Sequence, residues 1–239
     1  MYFPYPGFFH KLSLADIFVI MDDVQYDKRF TNRNVILDPN GQTRLSVPIN
    51  KKQKFLQNMM VEINNSIPWR DYHSKKIYMC YANAKFFGRY WNYFEELYKQ
   101  EWHLLFDLDF ETIKAVMNWL GLRIPIVRES ELNVKGEGTE RLINTCKAIG
   151  ADTYVSGVGG RNYLDEKQFE RNNLRLEYQN YSPTSYPQRF SKTFVPNLSI
   201  IDMLFNVGSL SSEVISGGAG VSQRQWEEEE VEISNRTVS

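Results

Sequence analysis

An α/β fold built on a mostly parallel sheet with flanking helices is predicted by three features of the 239-residue sequence. From residue 124 onward, short apolar runs alternate with amphipathic helical stretches, the pattern of βαβ units. A glycine-rich turn, Ser156-Gly-Val-Gly-Gly160, stands between one such run and the next helical stretch. Near the amino terminus another apolar run, residues 17–21, ends directly in Asp22-Asp23. Open sheets of this kind bind ligands beyond the carboxyl ends of their strands. The predicted sheet is Rossmann-like, with an inserted hairpin and helical segment.

The elements follow in order. The opening Met-Tyr-Phe-Pro-Tyr-Pro-Gly-Phe-Phe-His reads as a stiff aromatic loop, because each proline removes a backbone donor and biases the residue before it toward extended geometry. A short helix is expected over 11–16 and a buried strand over 17–21. Runs 33–37 and 43–47 flank Asp38-Pro-Asn-Gly41, a turn sequence that predicts an antiparallel hairpin. Residues 69–100 are helical in composition and crowded with aromatic rings. Over 107–120, Leu108, Ile113, Val116, Met117 and Leu120 share one helical face, and Gly121 stops the helix.

The alternating half comes next. Strands are expected over 124–127, 153–155 and 174–178, with a helix capped by Thr139 and ended by Gly150, and another over 163–171. Residues 180–197 are polar and proline-rich, as in an ordered surface loop. Ser199 is the N-cap of a helix over 200–206 that Gly208 stops. The sequence thus predicts one domain over 1–209, with an insertion at about 33–120, and a flexible Gly/Ser and acidic tail over 210–239.

Charge and composition narrow the function. Basic and acidic residues nearly balance, 28 against 29, so no field favours nucleic acid as the main ligand or an anionic membrane. No apolar run approaches the ~20 residues of a membrane span, and no secretory signal pattern is present; the expected compartment is the cytoplasm. Cys80 and Cys146 lack zinc or redox spacing and read as reduced core residues. Aromatic residues make up 14% of the chain, enough for a stacking or sugar-contacting surface, although core packing accounts for most such rings. No pattern points to a particular cofactor, metal or oligomeric state.

Two segments could carry chemistry. In the first, Asp22 and Asp23 are followed by Gln25, Lys28, Arg29, Asn32, Arg33 and Asn34, beside Tyr2 and Tyr5 of the aromatic loop. Carboxylates accept hydrogen bonds from sugar hydroxyls or amines, and the arginine fork matches phosphate or carboxylate oxygens. Adjacent strand residues face opposite ways, so Asp22 and Asp23 do not form a paired acid and base. A surface ion-pair network is the plain alternative. In the second, Ser156, Gly157, Gly159, Gly160 and Tyr163 form a turn that suits a phosphate or carboxylate at a helix start, the alternative being a tight turn and nothing more. Ser156 serves as a hydrogen-bond donor rather than a nucleophile, since no base stands near it in sequence. Of the three histidines, His73 is the first candidate for a general base, with Asp22 as the second catalytic candidate; His10 beside the loop ranks below His73, and His103 reads as structural.

The segments Tyr2 to Lys11 and Ala15 to Tyr26, with Asn32-Arg33-Asn34, Trp69 and His73, the Tyr154 to Gly160 turn, Tyr163-Leu-Asp165, Tyr186-Pro187 and residues 196–208, resemble the WbqC-like proteins over roughly residues 2–208. The resemblance implies a protein of bacterial surface-polysaccharide biosynthesis, O-antigen or capsule, acting by acyl or aminoacyl transfer to a nucleotide-linked amino sugar. Its partners would be a small-molecule sugar nucleotide and an activated acyl donor. The alternatives are nucleotidyltransferase-like phosphate chemistry, for which the aromatic Pro-Gly loop followed by helix and strand resembles the opening layout, and a non-catalytic sugar-nucleotide-binding accessory protein.

Overall fold

The computed structural model of the protein describes residues 1–27, 31–51, 53 and 55–217. Helix α1 spans Pro6–Ser13, so the opening segment is not a loop followed by a helix at 11–16. Pro6 occupies the first helical position, where the donor it lacks would have no partner in any case. Tyr5 before it is extended, with φ −71° and ψ 159°, as a residue preceding proline prefers. Strand β1, Phe18–Ile20, ends two residues before Asp22.

Strands β2, Arg33–Asp38, and β3, Gly41–Ser46, form the expected antiparallel hairpin, in register from Arg33 opposite Ser46 to Asp38 opposite Gly41. Gly41 closes the turn at φ 113°, a value that a side chain would strain, and the Asn40 amide donates to the Asp38 carboxylate at 2.8 Å. The aromatic helical segment is two helices, α2, Trp69–Tyr81, and α3, Phe87–Lys99. Helix α4, Leu105–Trp119, follows.

Strand β4, Ile126–Arg128, pairs in parallel with β1, Phe18 opposite Ile126. After α5, Gly138–Ala148, β5, Thr153–Ser156, pairs in parallel with β6, Arg175–Tyr178. Helix α6, Glu166–Arg171, lies between them and starts at Asp165, whose side chain accepts from the Gln168 amide. Among the described residues, the result is a mixed α/β architecture of two short parallel pairs and one antiparallel hairpin. The described strands do not join into the single mostly parallel sheet that the alternation predicts. Between β1 and β5 runs a groove of about 850 Å³, lined by residues 17–21 and 151–155.

Helix α7, Ile200–Val207, is buried at every position, with Ser199 as its cap as expected. Phe205 stacks on Tyr81 at 5.2 Å and packs near Phe94 at 5.2 Å. Asp202 is buried beside them, accepting from Tyr81 at 2.8 Å, Tyr186 at 2.9 Å and Gln188 at 3.1 Å; burial raises its pKa although these bonds oppose the rise. Most of the aromatic residues are therefore core, in one large cluster around α1 to α4 and α7, while β5, β6, α5 and α6 enclose a smaller one. Both cysteines are free and buried. The residues expected to start a tail instead form α8, Ser211–Ile215, because Val214 and Ile215 bury against α1 and α7; residues 218–239 lie outside the described ones. Among the described residues, no helix is long and apolar enough to cross a membrane.

Candidate functional site

The residues of the two candidate segments fall into distinct groups. Asp22 is fully buried where β1 ends. One carboxylate oxygen accepts from Arg128 Nε and Ser130 Oγ, both at 2.7 Å, and the other from the Ser130 amide at 2.9 Å. Burial would raise its pKa, but the bonds from Ser130 and Arg128 outweigh burial and hold it below the ordinary value. A carboxylate with these partners ties the end of β1 to the end of β4 and has no need to exchange a proton. Asp23 meets Arg141 at 2.6 Å, and the same guanidinium nitrogen reaches buried Glu129 at 3.0 Å. The other Glu129 oxygen accepts from Thr145 at 2.8 Å. Both aspartates are thus held in ion pairs with partners over a hundred residues away in sequence, Arg128 and Arg141.

His73 is enclosed. It is 1% exposed, its Nδ1 stands 3.0 Å from the Tyr2 hydroxyl, and Trp69, Tyr72 and Tyr98 surround its ring. Burial pushes its pKa down to about 4, against a smaller upward effect of its hydrogen bond with the Ser46 backbone. Tyr2 is fully buried, and its hydroxyl also bonds that of Tyr98. Both expected site residues therefore belong to a buried hydrogen-bonded cluster with Tyr98 inside the aromatic core.

The hairpin residues hold backbone. Asn32 donates to the Val47 carbonyl at 2.7 Å and accepts from Arg33 Nε at 3.2 Å. Asn34 donates to the Phe3 carbonyl at 2.6 Å and accepts from the Val35 amide at 2.8 Å. Gln25 is exposed and bridges to Gln57. Lys28 and Arg29 lie outside the described residues.

What the structure does bring together is the aromatic opening and the glycine turn, through two residues the sequence ranked low or passed over. Gln179 follows β6, and its amide donates to the Ser156 carbonyl at 2.8 Å. Its side-chain nitrogen lies 2.7 Å from the Gly7 carbonyl and 2.8 Å from His10 Nδ1. His10 is partly exposed, and burial lowers its pKa below the ordinary value. Its ring centroid is 5.1 Å from that of Tyr181, which meets Tyr5 edge-on at 6.4 Å. Burial raises both tyrosines, Tyr181 to about 12. Gly7 is required here, because a Cβ would stand 2.3 Å from Tyr5 and 2.7 Å from Tyr181.

The glycine turn has unequal members. Ser156 is buried and its hydroxyl donates to the Gly157 carbonyl at 3.1 Å, so it points into the turn. A Cβ on Gly160 would stand 2.0 Å from that hydroxyl, and one on Gly157 only 4.0 Å from Gln179. Gly159 has open space where its Cβ would go. Beyond it, Tyr163 is 72% exposed and Arg161 lies over the Tyr178 ring at 4.1 Å. Tyr5, His10 and Tyr181, each partly exposed, thus gather about buried Gln179, whose backbone amide ties them to Ser156 at the carboxyl end of β5. The sequence signal that pointed here was the Tyr5-Pro-Gly7 motif beside a histidine; nothing local marked Gln179 or Tyr181.

Among the described residues, no cluster of His, Cys, Asp and Glu is placed to hold a metal ion. Comparison with known proteins adds the family. No solved structure matches the chain. The chain is 30% identical to the uncharacterized protein Rv1507c of Mycobacterium tuberculosis over 210 residues, which cover 87% of this chain and 91% of that one. The model of the WbqC-like protein family matches residues 1–214, and the chain belongs to that family.

Proposed function

We propose that this protein is a cytoplasmic transferase of bacterial surface-polysaccharide biosynthesis that acylates or aminoacylates the amino group of a nucleotide-linked amino sugar, at the face built from Tyr5, His10, Gln179, Tyr181 and the Gly159 turn. The observation that carries this reading is the contact between Gln179 and His10. The side-chain nitrogen of Gln179 can only donate, and the Gly7 carbonyl it also meets can only accept. His10 Nδ1 is therefore the acceptor, and the ring proton sits on Nε2. Burial favours this neutral form.

A neutral imidazole N–H suits an oxygen that gains negative charge during reaction. In acyl transfer that oxygen belongs to the donor's carbonyl. The sugar nitrogen attacks the acyl carbon, a C–N bond forms, the bond to the leaving group breaks, and the proton lost by nitrogen departs with the displaced group. His10 Nε2–H steadies the oxygen while this happens. Tyr5 and Tyr181 offer ring surface for a sugar or base, and the open backbone at Gly159 gives phosphate oxygens close approach. The two parallel strand pairs with helices between them support a Rossmann-like reading of the scaffold.

The test is incubation with UDP-linked and dTDP-linked amino sugars and an acyl-coenzyme A series, read by mass spectrometry for the amide. His10→Ala is expected to lower kcat by about a hundredfold with KM little changed. Sugar-nucleotide binding with no product from any donor would replace transfer by a binding role, and pyrophosphate release from a nucleoside triphosphate would replace it by nucleotidyl transfer.

A further inference from the structure

The groove between β1 and β5 is walled largely by apolar side chains and borders the residues that gather about Gln179. Leu12, Phe18, Ile20, Leu142, Ile149 and Tyr154 are among its walls. Residues 17–21, Ile149, Tyr154 and Val155 are only half-buried, so apolar surface stays accessible inside a space of about 850 Å³. Small-molecule sites have this size and this lining. The charged groups of the wall are of mixed sign. Glu129 is held by Arg141 at 3.0 Å and Thr145 at 2.8 Å, and Asp152 by Arg175 at 3.5 Å; Lys11 stands against Asp16 and Glu177. Such a mixture makes no single-sign field, which suits an occupant whose body is neutral.

Three elements carry the groove to His10. On α1, Lys11 of the wall follows His10 directly; on β5, Val155 of the wall precedes Ser156. On β6, strand alternation puts Glu177 of the wall on the same face as Gln179, whose side chain lies 2.8 Å from His10. We infer that the groove receives the hydrocarbon chain of a fatty acyl donor, so that the group transferred beside His10 is a fatty acyl group. This rests on the acyl-transfer reading of that site and names its donor class. The four residues of β5 extend about 13 Å at ~3.3 Å each. An extended hydrocarbon advances ~1.3 Å per bond, so a chain of about ten carbons runs the length of the strand. Acetyl and aminoacyl groups reach only the mouth and leave the apolar walls unused. In transfer from a thioester, the sugar nitrogen bonds the acyl carbon, the C–S bond breaks, and the thiol leaves with the proton that nitrogen loses.

The test is titration of the full chain with acetyl-, hexanoyl- and dodecanoyl-coenzyme A, each below its micelle concentration, read by calorimetry and by NMR of isoleucine methyl groups. Affinity is expected to rise by about a hundredfold or more from acetyl to dodecanoyl, because each buried methylene adds to it. The Ile20 and Ile149 methyl signals are expected to shift with saturation by dodecanoyl-coenzyme A and to stay fixed with acetyl-coenzyme A, while Ile36 of the hairpin is fixed with both. Ile149→Trp, which fills the groove, should remove at least tenfold of the gain and leave acetyl-coenzyme A binding unchanged. Equal affinity across the series overturns the assignment, and so does a gain with chain length that leaves Ile20 and Ile149 unmoved. Amide formed at equal rates from acetyl and dodecanoyl donors would keep the transfer and remove the groove from it. Saturable shifts at Ile20 and Ile149 with no amide from any donor would keep the fatty acyl site and remove the transfer.

Discussion

The side-chain nitrogen of Gln179 stands 2.8 Å from Nδ1 of His10, across 169 residues of sequence. That contact assigns the ring proton to Nε2 and turns a partly exposed histidine into a hydrogen-bond donor rather than a base. It follows that Gln179→Glu should raise the titration midpoint of His10, because a carboxylate stabilises the imidazolium. A pH series of ¹H–¹³C spectra on ring-labelled protein measures it. An unmoved midpoint would separate the two side chains in solution.

His73 gives a pH dependence of stability. Its pKa is about 4 in the folded protein against an ordinary 6.5, so between those values the unfolded chain binds more protons. Stability is complete above pH 6.5 and is lost as pH falls toward 4, by roughly 3 kcal/mol for this one group. Urea unfolding at pH 6.5 and 4.5 should show a smaller drop in His73→Gln than in the parent. An equal drop in both would mean that His73 titrates normally.

Asp22 should behave as an anchor. Replacing it by Ala removes acceptors for Ser130 and Arg128 and is expected to cost about 2–4 kcal/mol, with the Arg128 share reduced because that side chain is 39% exposed. Thermal unfolding checks the figure. A variant with unchanged Tm and abolished activity would return Asp22 to the catalytic residues.

The glycine turn offers a paired comparison. Gly160→Ala puts a Cβ against the Ser156 hydroxyl and should destabilise by about 1–3 kcal/mol. Gly159→Val places its Cβ where no atom stands within 4 Å and should leave stability within about 0.5 kcal/mol while weakening sugar-nucleotide affinity in calorimetry. Undiminished affinity would make Gly159 part of a plain turn.

Local features were legible before the fold was seen. Asp38 to Gly41 specified the hairpin, Ser199 specified the start of α7, and the run before Asp22 specified β1, since turns, caps and short strands depend on neighbours in sequence. Pro6 misled because a proline that breaks a helix in its interior can open one at its first position. Asp22 and Asp23 pair with Arg128 and Arg141, and no spacing rule could show that. The same holds for His10, whose partners Gln179 and Tyr181 arrive from the far end of the alternating half. His73 is a candidate base by residue type alone, and its burial by Tyr2, Trp69 and Tyr98 is a tertiary fact.

The central claim is that substrate meets His10 and not His73. Titrating ring-labelled protein with a UDP-linked amino sugar, and following both histidine Cε1 resonances at neutral pH, tests it most directly. The His10 signal is predicted to shift with saturation while His73 stays fixed. A fixed His10 with a saturable shift elsewhere, or at His73, would contradict the account.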